Sequence, residues 1–200
     1  MKIDTHQHYW RYQPQDFGWI SERMPVLQRD YAPADCQRRA LSYDVLLFGH
    51  QLPDAQAFCA RLDGHWLVLD HVGKPALRDW DQPDVARRWR TQVRALAQLP
   101  HVMCKLSGLV TETAWSSAAA VSAKDLAAIS QCCDEALEAF GPQRVMFGSD
   151  WPVCQLAAPY AQVADAALQW AASRLSAAEQ EAFWSGNAAR AYGLALATTP

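Results

Sequence analysis

Short apolar runs of strand length alternate with helical stretches along this chain. The runs fall at residues 1–6, 44–48, 66–70, 102–107 and 144–149. They are nearly continuous in apolar character rather than alternating, which suits a parallel sheet covered on both faces. Between them, apolar spacing of helical period predicts helices over 54–62, 83–99, 122–140, 160–173 and 176–192. Their ends carry local signals: Pro53 at an entry, Pro100 and Gly141-Pro142 as stops, Ser122 as an N-cap, and Ser176-Ala177-Ala178-Glu179 as a capping box. The predicted order is a strand, a long loop, four strand–helix units and one extra helix, an α/β class with parallel strands. Residues 10–40 break the rhythm and read as a long loop with a short helix over 33–41. A loop of that length is usually functional or hides a missed element. No repeat, low-complexity tract or linker divides the chain, so residues 1–200 are expected to form a single domain.

Composition narrows the function. Half of the 200 residues are apolar, a fifth are charged, and the formal net charge is −3. That leaves no basic footprint for nucleic acid, and no apolar run is long enough for a membrane span. Met1-Lys2-Ile3-Asp4 has none of the character of a secretion signal, so a cytoplasmic protein is expected. The six cysteines (36, 59, 104, 132, 133 and 154) form no C-x-x-C pair and read as reduced, partly buried thiols. Among nine tryptophans, Trp10, Trp19 and Trp151 adjoin polar motifs, where an indole can wall a pocket.

Polar residues gather where strands end. The first strand closes in Asp4-Thr5-His6-Gln7-His8, the second in Gly49-His50, the third in Asp70-His71, and the fifth in Gly148-Ser149-Asp150-Trp151. His6 and His8, two apart on a strand, face the same way. In a parallel α/β protein these ends share one edge, where active sites form. Asp150 is suited to act as a general base toward water. Neutral imidazoles can hold a metal or hydrogen-bond a carbonyl oxygen, and either polarises an ester or lactone. No G-x-S-x-G elbow is present, which argues against a serine acyl-enzyme. Nothing marks Cys104 or Cys154 as a reactive thiolate. His65 and His101 precede strands, on the opposite edge, and read as surface residues.

Four segments carry a resemblance: Asp4-Thr5-His6-Gln7-His8-Tyr9-Trp10, Leu69-Asp70-His71-Val72-Gly73-Lys74-Pro75, Cys104-Lys105-Leu106-Ser107-Gly108-Leu109 and Met146-Phe147-Gly148-Ser149-Asp150-Trp151-Pro152. Together they resemble the amidohydrolase-2 (amidohydrolase-related) family, and within it the lactonase branch of L-fuconolactone hydrolases. The resemblance implies a TIM-barrel-derived fold and hydrolysis of a sugar lactone to its aldonic acid. It implies Asp150 and His71 as catalytic residues, with His6, His8 and Asp150 as metal ligands. It implies Lys74, Trp19, Trp151 and His50 as substrate-binding residues. Members differ in their need for a divalent metal, so either zinc or a metal-independent reaction is implied. The expected partner is a small sugar lactone. Other hydrolases or decarboxylases of the superfamily, or a remnant that binds without turnover, remain alternatives.

The family barrel has eight strands, and this sequence supplies about five. The text passes from Tyr31-Ala32-Pro33-Ala34-Asp35-Cys36, which resembles the approach to a second strand, to Leu41-Ser42-Tyr43-Asp44, which resembles the approach to a fifth. An internal deletion of strands two to four is therefore expected. It would leave an open partial barrel whose exposed sheet edges invite a homo-oligomer.

Overall fold

The computed structural model describes residues 12–16, 28–30, 42–62, 64–115 and 121–194. The predicted first strand, the short helix over 33–41 and most of the long loop lie outside the described residues. The remaining four predicted strands form one parallel sheet in sequence order: β1 (Tyr43–Val45), β2 (Leu67–Leu69), β3 (Val102–Leu106) and β4 (Val145–Phe147). Tyr43 pairs with Leu67, Leu67 with Val102, and Cys104 with Val145. The strands follow one another across the sheet, with α1 (Leu52–Cys59), α2 (Pro83–Ala97) and α3 (Ala123–Phe140) as the crossovers. Helices α4 (Tyr160–Arg174), α5 (Ala177–Glu181) and α6 (Asn187–Tyr192) complete the described chain.

Alternate strand residues point to opposite faces. One set, Leu67, Leu69, Val102, Cys104, Leu106 and Val145, packs with Leu52, Trp89, Val93, Cys132, Phe140 and Phe183 in the main core. The other set, Val68, Met103 and Met146, is covered by Ala191 with Trp66, Ala188 and Tyr192. All three residues of β2 are buried, as its unbroken apolar sequence predicts. All four described strands are shorter than the runs that predict them. β2 ends at Leu69 because Asp70 opens a turn that continues left-handed from His71, so β1 has no partner beyond Val45. Leu46 and Phe48 follow, each 62% exposed.

The helix ends match their sequence signals closely. Ser122 Oγ accepts from the Asp125 backbone amide and caps α3, and Gly141 ends that helix with a positive φ. The predicted helix over 176–192 is one helical run, but its middle, Ala182–Gly186, widens into a π-turn. The wider turn brings both Phe183 and Trp184 against Phe147, with ring centroids 6.3 and 4.9 Å away. At the start of the strands Arg144 acts as a staple. Its guanidinium donates to the carbonyls of Phe140, Leu99, Val102 and Ala97 at 2.9–3.1 Å. His101 does not fit its reading as a surface residue. It is half-buried, and its Nε2 lies 2.9 Å from the Cys59 carbonyl, tying the start of β3 to the end of α1.

The described cysteines are free and buried, as expected for reduced thiols. Burial pushes the Cys59 and Cys133 thiols up to about 12, so neither is a thiolate near neutrality. Among the described residues no helix is long and apolar enough to cross a membrane.

Two stability measurements test this account. Arg144→Met leaves its carbonyls without their charged donor, and a loss of about 3 kcal/mol is expected, read as a fall of roughly 6–12 °C in Tm. In the capping box, Glu179 accepts from Ser176 N at 2.8 Å and from Ser176 Oγ at 2.7 Å. Those two bonds hold its carboxyl below the ordinary glutamate value. A depressed folded-state pKa gives stability that is present above the unfolded pKa and is lost as pH falls through the folded one. Glu179→Gln should therefore melt earlier than the parent at pH 7. The difference should shrink on acidification from about pH 4.3 downward.

Candidate functional site

All four strands run the same way, so the loops after them meet at one edge of the sheet. The loop after β2 is the most constrained. His71, Val72, Gly73 and Lys74 have φ of 53°, 52°, 70° and 48°, so the chain winds left-handed over four residues. Three of these are not glycine, and each costs roughly 1–2 kcal/mol in that conformation. Packing holds them there. Val72 is fully buried, its carbonyl accepts from the buried Trp89 indole at 2.9 Å, and the Lys74 amide donates to the His71 carbonyl at 2.8 Å. Gly73 has no room for a side chain, since a Cβ there would lie 2.7 Å from Leu52 Cδ2. Asp150 is the other non-glycine residue at this edge with a positive φ, 57°, and its carbonyl accepts from the buried Cys154 amide at 2.8 Å. Such enforced strain is typical of functional positions.

The two strained turns bring two predicted residues together. His71 Nε2 lies 3.8 Å from Asp150 Oδ1, and both side chains are mostly buried, 16% and 17% exposed. On its other side His71 Nδ1 lies 2.9 Å from Ser107 Oγ, a buried hydroxyl at the end of β3. Gly108, with φ 63°, lets the β3 loop pass under the imidazole, and a Cβ there would lie 2.4 Å from His71 Nδ1. Ser107 and Gly108 were not among the candidate side chains. Their sequence signal is the segment Cys104-Lys105-Leu106-Ser107-Gly108-Leu109, one of the four that carry the resemblance, at the end of β3.

The other described candidates sit on the rim. Lys74 Nζ is 3.8 Å from Glu112 Oε1 and 5.2 Å from the centre of the Phe48 ring. The exposed His50 stacks on Phe48 with ring centroids 6.0 Å apart, and so engages this rim and not the His71–Asp150 pair. Trp151 is 62% exposed, with its amide donating to Ser149 Oγ at 3.1 Å. His6, His8 and Trp19 lie outside the described residues. Deeper on the inner face, Lys105 donates to Asp70 Oδ1 at 2.6 Å and to Asp44 Oδ2 at 3.0 Å, and Tyr192 donates its hydroxyl to Asp44 Oδ1 at 2.5 Å. Burial opposes the Lys105 charge, but the two carboxylates outweigh it and hold its pKa above the ordinary lysine value.

A cleft of about 870 Å³ opens between α3 and α4, where Trp170 and Arg174 both bond Asp134 and clamp one end. Its inner end reaches Ser107, Gly108 and Gly148, but the rest of its wall is mostly apolar helix surface, and neither His71 nor Asp150 lines it. The groups able to move protons are at the strand ends, which makes those ends the candidate site. Among the described residues no three His, Cys, Asp or Glu side chains are grouped closely enough to hold a metal ion.

Comparison with known proteins identifies the family. A family model described as amidohydrolase matches residues 34–194. The chain is 41% identical to an L-fucono-1,5-lactonase of Burkholderia multivorans, over 97% of this chain and 96% of that protein. That alignment is 287 residues long, more than the 200 present here, so the relative contains a large segment that this chain lacks. An L-fucono-1,5-lactonase of Burkholderia ambifaria is 34% identical over 71% of this chain and 44% of its own length. Among solved structures, a Burkholderia multivorans amidohydrolase with bound zinc superposes with a TM-score of 0.76 at 40% identity, covering 98% of this chain and 100% of that one. Strand-end motifs, a parallel sheet and near full-length identity converge. The chain belongs to the amidohydrolase family, in its L-fuconolactone hydrolase-like branch, as an incomplete TIM-barrel-derived form that lacks an internal segment.

Proposed function

We propose that this chain hydrolyses a sugar lactone, L-fucono-1,5-lactone or a close aldonolactone, to the open hydroxy acid. One observation carries the reading. His71 Nε2 and Asp150 Oδ1 face one another at 3.8 Å across the ends of β2 and β4, in a chain 41% identical to a protein named for that activity. Asp150 takes a proton from water as the water oxygen bonds to the lactone carbonyl carbon. In the tautomer with the proton on Nε2, His71 Nδ1 accepts from Ser107 and Nε2–H hydrogen-bonds the oxyanion that forms on the carbonyl oxygen. Collapse of the tetrahedral intermediate breaks the bond to the ring oxygen, and Asp150 returns the proton to that oxygen. Lys74, Trp151 and His50 would hold the sugar from the rim, and Trp19 is the further substrate-binding residue the resemblance implies.

A divalent metal fits this donor set in part. The carboxylate of Asp150 is a donor that zinc accepts, and His6 and His8, the other ligands the resemblance implies, would add two imidazoles. A zinc ion there would polarise the carbonyl and lower the pKa of a bound water. The protein residues supply the base, the carbonyl donor and the sugar contacts in either case.

Purified protein given L-fucono-1,5-lactone at neutral pH is expected to release acid, measured by titration at constant pH against the spontaneous rate. Asp150→Asn should lower kcat by about 10²–10⁴-fold with an unchanged melting temperature. An unchanged rate would remove Asp150 from the mechanism. Gly108→Ala pushes a methyl into the His71 imidazole. It is expected to lower kcat/KM by roughly 10²-fold, with a loss of roughly 2–4 kcal/mol in stability from the left-handed backbone and the overpacking together.

A further inference from the structure

The rim of the proposed site carries a second pair of opposite charges. Lys74 closes the left-handed turn after β2, and Glu112 closes the short turn Val110–Glu112 after β3. The two side chains are 26% and 20% exposed. At 3.8 Å they attract without sharing a direct hydrogen bond, so donors on one and acceptors on the other stay available. The exposed face of Phe48 lies beside the ammonium. The turn bearing Glu112 also packs against the turn Val153–Leu156 that follows Asp150. The pair therefore bridges the loop that carries His71 and the loop that neighbours Asp150.

We propose that Lys74, Glu112 and Phe48 form a polyol subsite that selects a neutral, hydroxylated lactone over a carboxylated one. This deepens the lactone hydrolase reading and rests on it. A hydroxyl both donates and accepts. One hydroxyl of a vicinal diol can accept from Lys74 while its neighbour donates to Glu112, and both bonds are charge-assisted. Neither charge is then left uncompensated when the substrate displaces water. The exposed surface that Phe48 keeps between Lys74 and His50 offers apolar contact to the carbon side of the sugar ring. A substrate carboxylate gains much less. Any attraction to Lys74 is offset by Glu112 close by, and Lys105 is already matched by Asp44 and Asp70.

Calorimetric titration tests this without requiring turnover. The probes are the lactam of the sugar lactone, hydroxyl-free δ-valerolactam and a six-membered lactam bearing one carboxylate, none of which is readily hydrolysed. The parent protein should bind the hydroxylated lactam about tenfold or more tighter than either of the others. Glu112→Gln should weaken the hydroxylated lactam by about tenfold, leave δ-valerolactam unchanged and improve the carboxylated probe. Lys74→Met, with folding of each variant checked by thermal melt, should also erase the preference for hydroxyls. The proposal is overturned if the parent binds none of the probes or prefers the carboxylated one, or if Glu112→Gln leaves the preference unchanged. A protein that keeps this preference but opens no lactone would sink the hydrolase reading alone. One that turns lactone over with a preference indifferent to Glu112 would sink only the subsite.

Discussion

The buried hydrogen bond from the Trp89 indole to the Val72 carbonyl is the point from which the site is built. It anchors a left-handed turn that the backbone would not choose unaided. Val72 sits in the core with Leu52 and Trp89, and Gly73 presses against Leu52. With Val72 fixed downward, its neighbours His71 and Lys74 are set at the strand-end edge, one toward Asp150 and the other toward Glu112. Core packing free energy is thereby converted into side-chain direction. The strain of the turn is tolerable because the burial that enforces it is larger.

A parallel sheet explains why these few residues meet at all. Each strand delivers its C-terminal loop to the same edge, and each of β2, β3 and β4 contributes one element of the triad formed by His71, Ser107 and Asp150. The inner face supports that edge from below. Lys105 on β3 joins Asp44 on β1 to Asp70 at the end of β2, so the residue preceding His71 is held by charge as well as by packing. Tyr192 on α6 bonds the same Asp44 and brings the last described helix into the arrangement.

The segment missing relative to the Burkholderia multivorans lactonase leaves the proposed group of His71, Ser107 and Asp150 together. The described site comes from three adjacent strands whose order in the sheet equals their order in the sequence. β1 has one strand partner among the described residues, is three residues long, and is followed by the exposed Leu46 and Phe48.

Much of the fold was legible in the chain itself. Unbroken apolar runs marked β2, β3 and β4, and local capping residues marked the ends of α3 and α5, because both signals depend on nearest neighbours alone. His71 and Asp150 stood out because their residue types and strand-end positions coincide. Ser107 and Gly108 did not, since a serine and a glycine acquire meaning only beside the imidazole they touch. The same holds for Glu112, which becomes a candidate only when Lys74 lies across from it, and for His101, which a half-buried contact with Cys59 removes from the surface. The sequence by itself determined the strand-and-helix order and the residue types available for chemistry, because periodicity and composition are local properties. The tertiary structure decided the left-handed turn, the pairing across strand ends and the width of the helix at Phe183. Those depend on which side chains are packed together, and that packing is set by contacts between residues far apart in the chain.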